Sequence, residues 1–541
     1  MPYLDQYIGN WTSSQARHLL RRTTFGPSIQ MVNTATSLGL NGSIDELFTP
    51  LSMPSLPLKS IPDGTGNNQL NDPGALYGQT WVNAAPFPNI NPPILRNRVL
   101  RARSKSLYSW TVLQMHYSNI SIREKLALFW HNHFVVADGT IAHREYLYYS
   151  LLRSFAIGNF KTLTKEITID TGMLLYLSGS ENSNIAPNEN YSRELLELFT
   201  IGKGPLVAPG DYTNYTENDV IEMAKILTGW QVTPVSNANT LTAQFSANRH
   251  TTGNKQLSHR FNNAIITENG AQEYRDLIDV IFQQDECSRF IIRKLYRWFV
   301  SYEITPDIET NIIIPLATIL RNNNYEIEPA LRVLFKSEHF FQSTACMIKS
   351  PIDLIMSASR GLNINPPQGN VGNEYDHAYH HYIMSSDMEQ ALFYHPNVAG
   401  WKAYYQAPQL YKLWINNLLL PKRHQYCKLM VEGGQFSFNN ENYNITTIVP
   451  VLEIVNSINN AYDPNVLINK LAEIMFNYPI TSSQLTSLKD ILIPGLPDFE
   501  WSVEYSDYLA DPNNAILVAS VKNKLKNLFS VMVRMSEFQI M

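Results

Sequence analysis

Apolar side chains recur at helical spacing through most of the chain. Thr216 and Asp219 make a T-x-x-D start of the capping-box kind, after which Val220, Met223, Ala224 and Leu227 share one face and Gly229 supplies the stop. The stretch PNENYSRELLELFTIG predicts a second helix, running from after Pro187 to Gly202. Tyr191, Leu195, Leu198 and Phe199 form its apolar face, and Glu189, Arg193 and Glu197 form a charged stripe at i, i+4 and i+8 with Glu194 beside it. Further helices are expected in EKLALFWHNHF, in SRFIIRKLYRWFV from Ser288, in EIEPALRVLFKSEHFF and in VKNKLKNLFSVMVRM. Strand patterns are short: QVTPV and FSFNN would make one or two hairpins. The pattern predicts a mainly α protein, a large multi-helix globular fold with long loops and at most a few short hairpins.

Two stretches break the helical period. Residues 50–95 are dense in Pro, Gly and Asn, and residues 363–375 read NINPPQGNVGNEY. Unstructured stretches of such length often serve as lids or binding loops, so the first is expected to cover a cleft. A chain of 541 residues has room for one elaborated core or two packed domains. The change in loop density suggests a main helical domain over residues 1–345 and a C-terminal helical region over 346–541 packed on it.

Composition narrows the function classes. Hydrophobic residues make up 44% and charged residues 16%, which argues against extensive disorder. Aromatic residues reach 11%, bringing apolar area with polar tips. A net charge of -5 gives no basic excess for a phosphate backbone, so nucleic acid is not an expected partner. Cys287, Cys346 and Cys427 are too scattered for a metal knuckle or a disulfide framework and read as free thiols. The start, MPYLDQYIGNW, lacks the basic and apolar regions of a secretion signal, and no apolar run reaches the roughly 20 residues of a membrane span. As written, the chain reads as a soluble cytoplasmic protein, with export alongside a partner as the other route.

Four places carry candidate chemistry. In FWHNHF, His131 and His133 flank Asn132; on a continuing helix residues two apart diverge, so they would converge only if the helix ends there, as VVADGT suggests. Glu189, Arg193 and Glu194 are a solvated charged surface if uncovered, and a ligand-orienting network if the 50–95 loop covers them. His250 and Lys255 stand in the polar segment NRHTTGNKQ. Asp376, His377, His380 and His381 in DHAYHH have helical spacing that binds metal in some proteins, but without the glutamate of a zincin they read as surface histidines. There is no GxGxxG after a strand, no P-loop, no HExxH and no GxSxG.

Several ordered motifs resemble those of a bacterial family catalogued as domain of unknown function 1800. HLLRRTTFGPS resembles its amino-terminal signature and EKLALFWHNHFV its tryptophan-histidine segment. PNENYSRELLELFTIG followed by YTENDVIEMAKILTGW is the most distinctive block, HTTGNK is similar to a His-Asp-x-Gly-x-Lys segment, HPNVAGWKAY to a Pro-Pro-Asn-Val-Ala-Gly-Trp turn, and MSEFQIM to the usual ending. Thr251 and His395 depart from that pattern, standing where Asp and Pro are usual. The resemblance brings no established activity. It implies an exported phosphatase-like or sulfatase-like protein, encoded nearby, as a partner.

Two functions follow. The first is an enzyme, hydrolase-like, with a His/carboxylate site between helices. His131, His133 and His250 would hold a divalent metal (Zn or Fe), with Glu189 or Glu194 near and Lys255 in the same segment. Without metal, a histidine would act as general base, Glu194 as its orienting partner and Arg193 as an anion clamp. The second is a non-enzymatic binding or maturation partner of an exported protein, with aromatic segments such as GWKAYYQAPQLYKLW as its interface. Convergence of the three histidines in one pocket would favour the first; separate, packed histidines would favour the second.

Overall fold

Thr216 begins its helix as its sequence asks: the hydroxyl accepts from the Asp219 N–H at 3.3 Å, and the Asp219 carboxylate accepts from the Thr216 N–H at 2.8 Å. The Glu217–Ile226 helix that follows buries Val220, Met223 and Ala224, and Gly229 takes a positive φ of 96° at the exit. Such local rules recur across the computed structural model, which describes residues 3–137, 141–232, 241–342 and 347–541. Helices occupy 57% of it, and strands form four two-stranded antiparallel sheets. The protein is mainly helical, as its periodicity requires. Among the described residues no helix is long and apolar enough to cross a membrane.

Helices expected from pattern appear at Arg123–His133, Asp285–Phe299, Ile327–Lys336 with Glu338–Gln342, and Ala515–Met532. The longest hairpin pairs Gly434–Phe438 with Glu441–Ile445, and Asn439 and Asn440 turn it with φ of 50° and 64°, as a two-residue primed turn demands. Trp230–Val232 pairs with Ala243–Phe245; the rest of QVTPV lies outside the described residues, as do Cys346 and the stretch around the suggested boundary at residue 345. Cys287 and Cys427 are buried free thiols.

Two elements differ from their expected form. The segment after Pro187 is an α-helix only over Asn190–Glu194 and continues as a π-helix over Leu195–Thr200. The 363–375 stretch already enters a helix at Val371, because the Asn370 side chain accepts from the Asn373 N–H at 3.0 Å and caps it.

The 50–95 loop is pinned to the Pro93–Tyr117 helix. Arg103 makes a buried bidentate pair with Asp72 at 2.7 Å, the Trp81 indole donates to Ser106 at 2.9 Å, and the Trp110 indole donates to the Ser55 carbonyl at 2.7 Å. The same helix packs along the Val371–Asp387 helix. Buried apolar side chains on both sides of residue 345 therefore belong to one cluster, from Ala16 to Phe538.

Candidate functional site

The Arg123–His133 helix is buried along its whole length, and it ends at Phe134. Its two histidines leave on different sides. His131 Nδ1 lies 3.0 Å from the Tyr148 hydroxyl, which itself donates to the Phe134 carbonyl at 2.6 Å, so Nδ1 carries the proton. Nε2 then accepts from the Phe393 N–H at 3.0 Å. His133 Nε2 donates to the Phe199 carbonyl at 3.0 Å, and Nδ1 accepts from Lys294 Nζ at 2.9 Å, which also donates to the Leu198 carbonyl at 3.2 Å. His133 and Lys294 thus cap the carbonyls at the end of the π-helix. Burial holds both histidines well below their usual pKa, with His395 adding to the effect on His131 and Lys294 on His133. Burial, and Arg297 after it, lowers Lys294 to about 7.

Asn132, between them, locks a distant turn. Its Oδ1 accepts from the Trp401 N–H at 2.9 Å, and Gly400, at φ 92°, sits so close that a Cβ there would lie 2.4 Å from that oxygen. The HPNVAGW turn and the FWHNHF helix are therefore two halves of one packed joint. His395 packs in it, edge-on to the His131 ring at 4.5 Å and tilted against Trp401 at 4.2 Å between centroids, and neither of its nitrogens has a hydrogen-bond partner among the described residues.

His250 and Lys255 meet a residue that their sequence neighbourhood does not reveal. Glu273, fully buried at the start of the Glu273–Ile281 helix, accepts from Lys255 Nζ at 2.6 Å and faces His250 Nε2 at 2.9 Å. The N–H groups of Asn269 and Gly270 complete its shell at 3.0 and 3.2 Å, while His250 Nδ1 faces the Thr228 carbonyl at 2.9 Å. Burial works to raise the Glu273 pKa, but hydrogen bonds from Lys255 and His250 hold it below the usual carboxylate range. This is a closed network tying a loop to a helix.

Arg193 bridges Glu189 at 3.0 Å and Glu217 at 2.8 Å, with the three side chains 32%, 42% and 36% exposed. The charged stripe is thus a solvated surface network; the 50–95 loop lies elsewhere. Glu194 is half-buried, its pKa raised by burial and then by Glu197. The expected metal set of His131, His133 and His250 is not assembled: their ring nitrogens are engaged in three separate settings, and among the described residues no three His, Cys, Asp or Glu side chains gather as a metal site. In the aromatic segment 400–414, Trp401 and Trp414 are 1% and 4% exposed, whereas Tyr405 is 39% exposed.

The convergence lies instead at DHAYHH, where surface histidines were expected. His377 and His381, one helical turn apart, are only 8% and 6% exposed, with ring centroids 4.5 Å apart. They face a cavity of about 270 Å³ between the Val371–Asp387 helix, the Leu419–Glu432 helix and the end of the 434–445 hairpin, bordered also by Asp376, His380, Tyr426 and Thr446. His377 Nε2 is buried with no hydrogen-bond partner among the described residues. Burial, with His116 and His380 nearby, takes the His377 pKa down to about 3 and His381 well below its usual value; burial and Arg360 take His116 to about 4. The chamber is thus lined by neutral imidazoles. Their i, i+4 spacing was the available signal; what it lacked was the partner helix that buries that face.

No curated protein and no solved structure matches the chain. A family model described as Protein of unknown function (DUF1800) matches residues 18–540, and the chain belongs to that family.

Proposed function

We propose that this protein binds a small, uncharged polar molecule in the chamber floored by His377 and His381, and that the family's His131, His133 and His250 motifs serve as its buried frame. The observation carrying this reading is the unpartnered Nε2 of His377 beside the cavity. A buried polar atom without a partner costs about 1–3 kcal/mol, which a ligand removes if it draws the imidazole toward the cavity and bonds it there.

The electrostatics favour recognition over acid–base chemistry. A base works best with a pKa near the working pH, and an imidazole held at about 3 takes up almost no proton at neutral pH. The one carboxylate at the chamber, Asp376, is held by Lys105 at 2.7 Å. What the walls offer is neutral donors and acceptors on His377, His381 and Thr446, above apolar surface from Met384 and Met430.

A thermal-shift screen of small uncharged polyols and amides tests this. At least one compound should raise the Tm of the wild type, because a ligand that binds only the folded state stabilises it. His377→Leu, which removes the nitrogen, and Met430→Trp, which fills the space, should each abolish the shift. A screen with no shift in the wild type, or shifts that persist in both variants, overturns the reading.

A further inference from the structure

The histidine chamber shares lining residues with a neighbouring groove. Asn373 and Asp376 border the chamber on one side and, on the other, line this second and wider groove of about 730 Å³. That groove runs between the 50–95 loop, the Pro93–Tyr117 helix and the 434–445 hairpin, so the long loop forms part of one wall of a cleft. Its size falls in the roughly 300–1,000 Å³ range of ligand sites, which the chamber alone does not reach.

The groove's lining is unlike a peptide or nucleic-acid track. The loop side presents three exposed amides in a row, Asn67, Asn68 and Gln69, and the opposite wall adds Asn370 and Asn373. Each amide donates and accepts at once, as a sugar hydroxyl does. Three tyrosines, Tyr77, Tyr379 and Tyr443, line the same space, offering aromatic surface together with hydroxyls. Tyr77 is held in place, its hydroxyl donating to Asn370 Oδ1 at 3.1 Å and accepting from the Gly372 N–H at 3.0 Å.

Charge is nearly balanced. Lys105 is held by Asp376, and Glu441 accepts from the Tyr443 hydroxyl at 2.5 Å. Arg98 and Arg101, both exposed on the helix wall, have no ion pair among the described residues. With three cations against two carboxylates, a net of one positive charge along the groove, and a chain net charge of -5, a polyanion is a poor fit. A hydroxyl-rich chain with an occasional acidic substituent fits well.

From this geometry we infer that the groove binds an oligosaccharide, whose inner sugar enters the histidine chamber and whose outer units lie along the amide and tyrosine walls beside Arg101. The inference rests on the chamber reading and extends it by naming the ligand class.

The test is a glycan array carrying neutral and uronic-acid-containing oligosaccharides, probed with the full-length protein, followed by calorimetric titration of the strongest binder. The expected result is affinity that rises with oligosaccharide length. It should fall at least tenfold in an Asn68→Ala, Gln69→Ala double variant and in Arg101→Ala, all exposed positions whose loss leaves the core untouched. An array on which nothing binds, or a bound glycan indifferent to both changes, overturns the inference. The two readings separate cleanly: small polyols that bind the chamber while no oligosaccharide binds leave the chamber and remove the glycan. A glycan sensitive to Arg101→Ala but unaffected by His377→Leu keeps the groove and removes the chamber.

Discussion

A methyl group at position 400 has nowhere to go: it would meet Asn132 Oδ1 at 2.4 Å and the Asn132 carbonyl at 2.7 Å, on a backbone at φ 92°. Gly400→Ala should therefore lower stability by at least about 2 kcal/mol, read by urea unfolding, since it combines a backbone clash with left-handed strain. A change near zero would mean that the joint between the FWHNHF helix and the HPNVAGW turn is loose. Glu145 makes a second prediction. Burial pushes its carboxyl up to about 7, against the pull of the Tyr108 hydroxyl and Arg144. Because its folded pKa lies above the unfolded value near 4.5, the native state binds the proton more tightly. That stability is fully present below about pH 4.5 and is lost as pH rises through 7. Glu145→Gln should remove this dependence and make the variant more stable than wild type at pH 8, by on the order of 2 kcal/mol; equal stability at pH 8 would refute it. At this scale the sequence was half legible. The end of the helix at His133 could be read from the residues after it, but the partners of each imidazole, Tyr148, Phe393, Phe199 and Lys294, come from segments that no local spacing connects.

Helices and caps were the legible level, because their signals are local. Thr216 and Asp219 close their capping box, and Asn439 and Asn440 turn their hairpin, whatever the rest of the chain does. The Val371–Asp387 helix was misread for the opposite reason. Its histidines have polar side chains on a helix whose burial is decided by neighbours far away in sequence, at residues 93–117 and 419–432. Burying them has a consequence for acid stability. His377 and His116 titrate near 3 and 4 when folded and near 6.5 when unfolded, so the unfolded chain binds more protons between those values. The stability they contribute is present above about pH 6.5 and is lost as pH falls toward the folded values. At pH 5 this amounts to about 2 kcal/mol per histidine. Unfolding curves at pH 7.5 and pH 5 should therefore lie closer together for a His116→Gln, His377→Gln double variant than for wild type, even if the variant is less stable at both. Parallel losses in the two proteins would show that these imidazoles are solvated in solution.

At the scale of the whole molecule, the suggested division at residue 345 is crossed by interactions that cannot be left half-made. Lys125, 1% exposed, pairs with Asp353, which Ser350 also holds at 3.0 Å. Arg360 donates to the Met115 carbonyl and to Ser118 across the same line, and the Tyr117 hydroxyl donates to Glu374 at 2.7 Å. Removing one partner of a buried ion pair leaves an uncompensated charge, at a cost of about 3–5 kcal/mol, a large share of a typical net stability of roughly 5–15 kcal/mol. The two halves also share one apolar cluster, so separation would expose the facing sides of the Pro93–Tyr117 and Val371–Asp387 helices to water. Residues 1–345 and 346–541 produced separately should each bind a hydrophobic dye and lack a cooperative thermal transition, whereas coexpression should recover a complex that unfolds as one unit. A cooperative transition in the isolated 1–345 fragment, at a Tm near that of the intact chain, would instead make the halves independent domains. The groove would then lie at a domain interface, since the 50–95 loop and residues 93–117 supply one wall and residues 370–443 the other, with the histidine chamber wholly on the C-terminal side.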